Sequence, residues 1–126
     1  MLHRKKCIIT FLFLSLACGD DAQIIERDAQ GMCLRPSDGL YSGEVIHWNN
    51  DCDLKSPGQE MFVLKDAFKD AIINQDDCVV KTNAINSAGW RFSGSYTLYN
   101  AHEFEFDGII TLNDCSVNAK FHYTKL

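Results

Sequence analysis

The chain has 126 residues, which suits a single domain, and its formal net charge is −5. Its 17 acidic residues outnumber 12 basic ones, which argues against nucleic acid as a partner, because phosphate binding requires clusters of Lys and Arg. The same balance disfavours electrostatic docking on anionic lipid and favours a solvated protein or a basic partner.

The N-terminal segment has the composition of an export signal. Met1 to Lys6 includes three basic residues, and an apolar run from Cys7 to Ala17 follows. That run is too short for a membrane-spanning helix, which needs about 20 apolar residues. A basic start, a short apolar run and a small residue predict a secretory signal peptide over residues 1–17. Its removal would take three basic residues and no acidic one, so the formal charge of −5 would become −8.

The predicted cleavage site resembles the lipobox of bacterial lipoproteins, with the sequence Leu14-Ser15-Leu16-Ala17-Cys18-Gly19. Ser15 departs from the family, which usually carries Leu, Val or Ile at that place. The resemblance implies that Cys18 becomes the lipidated N-terminus, carrying acyl chains such as palmitate. Residues 18–32 would then form a tether to a lipid bilayer.

Two further consequences depend on this resemblance. Gly19 directly after Cys18 is similar to the outer-membrane sorting pattern of enteric bacteria, so we expect an exported protein of the cell envelope. Whether it faces the periplasm or the cell surface stays open. The alternative is ordinary cleavage near Ala17, which would leave Cys18 as a spare thiol.

Four cysteines remain in residues 33–126, which we expect to form one domain. An even number in a small exported domain predicts two disulfides, each adding about 2–4 kcal/mol. The sequence leaves three pairings open. Zinc is the competing use, but the closely spaced C-x2-C pairs typical of zinc sites are absent. The four are Cys33, Cys52, Cys78 and Cys115.

An Asp-Cys pattern recurs in residues 45–55, 71–81 and 109–117. Each copy has a β-branched pair, then Asn or Asp, then Asp-Cys. Asn and Asp side chains bond to their own backbone and tolerate turn conformations, so each copy predicts a strand, a tight turn and a strand.

The stretch from Ser56 to Ile73 supports two structures. Ser56-Pro57-Gly58-Gln59 offers a helix N-cap, and Met61, Leu64 and Phe68 recur at helical spacing, which predicts a helix near residues 57–73. The alternative is a hairpin whose strands are residues 61–64 and 71–73. The sequence does not decide between them.

The C-terminal third alternates apolar and polar residues in three successive strands. They are predicted over residues 90–99, 102–112 and 117–123, with turns at Asn100-Ala101 and Asn113-Asp114. An earlier strand is predicted over residues 40–48. Short turns between successive strands predict a mainly β fold, an antiparallel meander that forms a sandwich or small barrel.

Chemical motifs are weak in this sequence. His102 and Glu103 would point to opposite faces of a strand, which disfavours a shared metal site. Glu103, Glu105 and Asp107 share a strand face that we expect to be solvated. The acidic turns at Asp51 to Asp53 and Asp76-Asp77 lack the calcium-loop pattern, His47 and His122 have no partner in sequence, and the aromatic residues are expected mostly in the core. We therefore predict no catalytic residue, no metal site and no cofactor.

The resulting hypothesis is a non-enzymatic, lipid-anchored envelope protein that binds a partner or serves as a structural component. Possible partners are a basic protein or a glycan. An inhibitor of a hydrolase such as lysozyme is the alternative, and a small envelope enzyme is the third hypothesis.

Overall fold

The computed structural model describes residues 7–9, 16–18 and 24–126. The predicted signal peptide falls largely on residues outside this description. Two short strands near the N-terminus pair antiparallel, and six longer strands form one sheet. The strands are β1 (Cys7–Ile9), β2 (Leu16–Cys18), β3 (Gly39–Asn50), β4 (Gln59–Leu64), β5 (Val79–Ile85), β6 (Arg91–Asn100), β7 (Glu103–Leu112) and β8 (Cys115–Lys125).

The six-stranded sheet is antiparallel throughout, with the order β4-β3-β8-β7-β6-β5. Strands β5 to β8 form a meander, and β8 then pairs with β3. Both predicted hairpin turns of the C-terminal third are present, since Asn100 pairs with Glu103 and Leu112 pairs with Cys115. The predicted mainly β, antiparallel fold is confirmed.

Aromatic contacts reveal that the sheet is strongly curled. Adjacent strands lie about 4.8 Å apart, so three steps across a flat sheet, from β4 to β7, would span about 14 Å. The rings of Phe62 on β4 and Phe104 on β7 nevertheless have centroids only 6.2 Å apart. Tyr123 on β8 packs 5.0 Å from Phe62 and 4.8 Å from Phe104. The sheet therefore bends around these rings, and its inner face is concave.

Two glycines allow the close approach of β6 and β7 on the concave side. Gly94 and Gly108 are register partners. A Cβ atom at Gly94 would lie 2.4 Å from the Asp107 carbonyl oxygen and 2.6 Å from the Gly108 Cα. Because both are backbone atoms, they cannot rotate aside as a side chain would. The bend at this point therefore requires glycine.

Inward-facing side chains of the strands build the core. On β8 the predicted alternation holds, since Val117, Ala119, Phe121 and Tyr123 are all buried. The largest fully buried side chains of the domain are those of Tyr41, Cys78, Leu98, Phe104, Phe106, Ile110, Val117 and Phe121.

The predicted helix near residues 57–73 is wrong, because residues 24–126 contain no helix. Residues 59–64 form β4, which pairs with β3 over its whole length. Pairing places Phe62 opposite Tyr41 and buries Leu64, whereas Val63 points outward. Tertiary pairing has overridden the helical pattern. The alternative hairpin is only half right, because residues 71–73 form no strand.

The segment between β4 and β5 closes one end of the concave face. Phe68 in this segment is buried, and its ring packs 5.4 Å from Tyr96 and 5.2 Å from Phe104. Arg35 donates hydrogen bonds to the carbonyl oxygens of Phe68 and Ala71. We call this end of the curled sheet the closed end.

Within residues 24–126 two disulfides form, Cys33–Cys78 and Cys52–Cys115. The first joins the segment before β3 to the closed end, and both of its cysteines are buried. The second joins the β3–β4 loop to the start of β8. Two disulfides are typical of an oxidising, exported environment.

Residues 25–27 of the predicted tether contact the domain. Ile25 packs against the core, and the Glu26 amide donates a 2.7 Å hydrogen bond to the Tyr99 carbonyl oxygen. Arg27 donates hydrogen bonds to the carbonyl oxygens of Gln75 and Asp76, at 2.7 and 3.0 Å. Residues 25–27 are therefore held against the domain.

Candidate ligand-binding cleft

A cleft lies between the two edge strands of the curled sheet, β4 and β5, and we call it the inner cleft. Its walls come from inward positions of four strands. Ala84 on β5 is the register partner of Phe92 on β6, and both line the cleft. The inward-facing side chains that line the cleft are those of Glu60, Phe62, Ala84, Phe92, Tyr96 and Tyr123.

The inner cleft continues away from the closed end into a mouth beside the β3–β4 loop. Glu60, Asn86 and Phe92 line both parts and so connect them. The chain has two tryptophans, Trp48 and Trp90, and both line the mouth. The rest of the mouth is formed by Leu54, Lys55, Pro57, Ile110 and Phe121.

Polar contacts fix the loop that forms the mouth. The Trp48 indole Nε1 donates a 2.8 Å hydrogen bond to the Leu54 carbonyl oxygen, which also accepts a 2.7 Å bond from Asn50 Nδ2. The Asn50 Oδ1 accepts a bond from the Leu54 amide at 3.1 Å. The Cys52–Cys115 disulfide holds the same loop to β8. The mouth is thus pre-formed rather than a flexible chain segment.

Glu60 places a carboxylate in this aromatic cleft. It is the register partner of Gly43, whose position faces the concave side. A Cβ at Gly43 would lie 2.6 Å from the Tyr123 ring and 3.3 Å from the Glu60 Cγ, so the glycine makes room for both side chains. The Tyr123 hydroxyl donates a 3.2 Å hydrogen bond to Glu60 Oε1. Gly43 itself lies in regular pairing, and the irregularity of β3 lies between Val45 and His47.

The two tyrosines beside Glu60 stay protonated at neutral pH. Burial raises the pKa of Tyr96 to about 12, and the charge of Glu60 adds to this rise. The pKa of Tyr123 is also raised, first by burial and then by the charge of Glu60. Both hydroxyls therefore carry a proton to donate.

The convex face of the sheet carries a separate polar cluster around His122. The His122 Nε2 lies 3.0 Å from Glu103 Oε2, and its Nδ1 lies 3.2 Å from Glu105 Oε2. Tyr99 donates a 3.1 Å hydrogen bond to Glu105, and Lys120 lies 3.4 Å from the same carboxylate. We call these five residues the outer cluster.

Protonation in the outer cluster favours a charged pair. Hydrogen bonding to Glu105 raises the pKa of His122, burial opposes this rise, and Glu103 adds to it. Burial alone would raise the pKa of Glu105, but hydrogen bonding from His122 and the charge of Lys120 lower it on balance. The cluster therefore joins β7 to β8 electrostatically.

The outer cluster also tests two expectations from the sequence. Glu103 and Glu105 do share a face, as predicted, but their side chains are only 24% and 15% exposed, so this row is less solvated than expected. His122 lies on a central strand of the sheet, between two carboxylates. This partnership could not be predicted from the sequence, because it depends on the β7–β8 register.

The other residues considered from the sequence are not gathered into a site. His47 is exposed on β3, and His102 is exposed in the β6–β7 turn. The acidic residues near Cys52 and Cys78 lie in exposed turns. In residues 24–126 no group of three or more His, Cys, Asp or Glu side chains is arranged to hold a metal ion.

Cys18 was predicted from the sequence but its lipidation is not tested by the structure, whereas Glu60 was not predicted. Cys18 is the last residue of β2, and its backbone is the register partner of Cys7 in β1. Lipidation of the Cys18 side chain stays a prediction. Glu60 was missed because the pattern of its segment suggested a helix, and because an acidic residue at an inward strand position contradicts the usual alternation.

No protein-family model, curated protein or solved structure matches this chain. In the described residues, no helix is long and apolar enough to cross a membrane.

Proposed function

We propose that this protein is an exported, lipid-anchored binding module that takes up a small apolar ligand in the inner cleft. The observation that carries the proposal is the cleft between β4 and β5, whose walls include aromatic side chains and both tryptophans of the chain. Ligand sites in proteins are concave and mostly apolar, with a few polar groups at fixed places.

The geometry favours binding over catalysis. The carboxylate of Glu60 is accompanied by two tyrosine hydroxyls whose raised pKa values keep them protonated. A nucleophile paired with a general base would be needed for covalent chemistry, and the walls of the inner cleft contain no Ser, Cys or His. Recognition of a ligand needs only shape, apolar contact and one or two polar anchors.

Binding can be measured with N-phenyl-naphthylamine, a neutral aromatic dye whose fluorescence rises in apolar surroundings. We expect saturable binding to the wild-type protein. Ala84→Phe should abolish it, because Ala84 lines the cleft beside Phe92 and the added ring would occupy the space between β4 and β5.

Ala88→Phe is the matched control, since Ala88 lies exposed in the β5–β6 turn, outside the residues that line the cleft. Equal dye binding by the wild type and Ala84→Phe, or no binding by the wild type, would contradict the proposal.

Attachment through Cys18 has its own test, an intact mass of the protein purified from its native membrane. A chain that begins at Cys18 with added acyl mass would support the anchor. A chain that begins elsewhere and carries no lipid would exclude it and indicate a diffusible protein instead. The binding measurement is independent of this result.

A further inference from the structure

We infer that the inner cleft selects ligands with a single cationic nitrogen attached to an apolar body. This inference rests on the proposed binding function and specifies its ligand class. It starts from Glu60, whose carboxylate lies among aromatic side chains and accepts a hydrogen bond from Tyr123. Glu60 is half-buried, and a carboxylate that loses part of its contact with water is stabilised by a nearby positive charge or by hydrogen bonds.

The protein itself supplies little of this compensation. Within residues 24–126 no Lys, Arg or His forms an ion pair with Glu60. The carboxylates of the outer cluster differ, because Glu103 and Glu105 both contact His122. Glu60 is thus the carboxylate for which a ligand could provide the balancing charge.

A second polar group faces the same space. The Tyr96 ring lines the inner cleft, and within the described residues its hydroxyl has no hydrogen-bond partner. Tyr96 is half-buried and lines the cleft, so its hydroxyl is available to a ligand. An ammonium group carries three N–H donors and no acceptor. It can therefore donate one hydrogen bond to Glu60 and a second to the Tyr96 hydroxyl oxygen.

The surrounding rings favour a cation as well. Phe62, Phe92, Tyr96 and Tyr123 line the same part of the cleft as Glu60. Aromatic faces attract cations within about 6 Å of the ring centre, and the attraction is stronger where water is excluded. A carboxylate-bearing ligand would meet repulsion from Glu60 and from these negative ring faces.

Lys55 limits the ligand to one positive charge. Its side chain lines the mouth, where Trp48 and Trp90 also lie. A second cationic group carried into the mouth would be repelled by the Lys55 ammonium. An apolar or aromatic tail fits this end instead, because it can pack against the two indole rings.

Three ligands of the same size test the inference: phenylbutylamine, phenylbutanol and phenylbutyrate. Their affinities can be measured at pH 7 by displacement of N-phenyl-naphthylamine. We expect the amine to bind at least about tenfold more tightly than the alcohol, because a hydrogen bond to a charged group contributes about 1.5–3 kcal/mol. The acid should bind more weakly than the alcohol.

Glu60→Gln should reduce the preference for the amine to less than about twofold while the affinity for the alcohol changes little. Asp107→Asn is the matched control, since it removes one negative charge from the exposed convex face and should leave the preference intact. Near-ultraviolet circular dichroism confirms that each variant keeps the wild-type fold, and the comparison of the three ligands on wild-type protein does not depend on any variant.

The outcomes separate the two proposals. Equal affinity of the wild type for amine and alcohol would overturn the cation site while leaving the binding module in place. A preference for the amine that survives Glu60→Gln would overturn the role of Glu60. Failure of all three ligands to displace the dye would overturn the site and its selectivity together.

Discussion

Glutamates on the two faces of the sheet differ in how their charge is balanced. On the convex face, Glu103 and Glu105 contact His122, and Glu105 also receives hydrogen bonding from Tyr99. On the concave face, Glu60 has the Tyr123 hydroxyl as its hydrogen-bond donor. The same residue type therefore has a structural role on one face and is available for recognition on the other.

The outer cluster predicts how stability depends on pH. Because the pKa of His122 is raised from 6.5 in the folded state, its contribution is fully present below 6.5 and is lost as pH rises through the raised pKa. Because the pKa of Glu105 is lowered from 4.5, its contribution is present above 4.5 and is lost as pH falls through the lowered pKa. The contributions of His122 and Glu105 are therefore both fully present between pH 4.5 and pH 6.5.

His122→Gln should accordingly lower the free energy of unfolding more at pH 5.5 than at pH 8.5. Urea denaturation of wild type and variant at both values measures this difference. His47→Gln serves as the control, because His47 is exposed on β3 and its replacement should change the free energy of unfolding little at either pH. A loss for His122→Gln that is equal at both values would show that the histidine stabilises only by packing.

At the scale of elements, the close approach of β6 and β7 should depend on Gly94. Gly94→Ala would place a Cβ 2.4 Å from the Asp107 carbonyl oxygen, and one of the two strands must then shift. Overpacking of this kind costs about 1–3 kcal/mol, which chemical denaturation can resolve. Because the curl of the sheet shapes the inner cleft, dye binding should weaken as well.

Ser93→Ala provides the comparison for Gly94→Ala. Ser93 is the neighbouring residue on β6 and is exposed, so its truncation should change the free energy of unfolding by less than about 0.5 kcal/mol. Similar effects of the two substitutions would mean that the strand tolerates a side chain at residue 94, and that the bend does not need glycine.

Strands differ in how well the sequence predicts them, and β8 and β4 mark the extremes. On β8, apolar residues alternate with polar ones, so the buried set from Val117 to Tyr123 could be predicted locally. On β4 apolar residues occupy both faces, because Phe62 and Leu64 face inward with Glu60 while Met61 and Val63 are exposed. Only pairing with β3 determines this orientation, and no local pattern reports it.

The same limit applies to the candidate site. The sequence predicted aromatic residues in the core and turns at the cysteines, but not that Trp48 and Trp90 line the same mouth. The pairing of Cys52 with Cys115 likewise depends on the β3–β8 register. The inner cleft and its mouth together combine residues from all six strands of the sheet, and the proximity of these residues is a property of the curled sheet rather than of any segment.

On the scale of the whole molecule, the two disulfides hold opposite ends of the inner cleft. Cys33–Cys78 secures the closed end and is buried, whereas Cys52–Cys115 holds the mouth and includes the exposed Cys52. The loops that they close have sequence separations of 45 and 63 residues. Loop-closure entropy predicts a stabilisation of about 4 kcal/mol from each bridge.

Their difference in exposure predicts the order of reduction, because thiol–disulfide chemistry requires access to sulfur. Graded treatment with a phosphine reductant, followed by alkylation and peptide mapping, should label Cys52 and Cys115 before Cys33 and Cys78. At that intermediate stage the core should persist while dye binding weakens, since the loop carrying Leu54 and Lys55 has lost its covalent link to β8.

The double variant Cys52→Ala/Cys115→Ala should retain the core and bind the dye more weakly without any reductant. Simultaneous labelling of all four cysteines would instead mean that reduction requires global unfolding, and that the mouth is no more easily opened than the core.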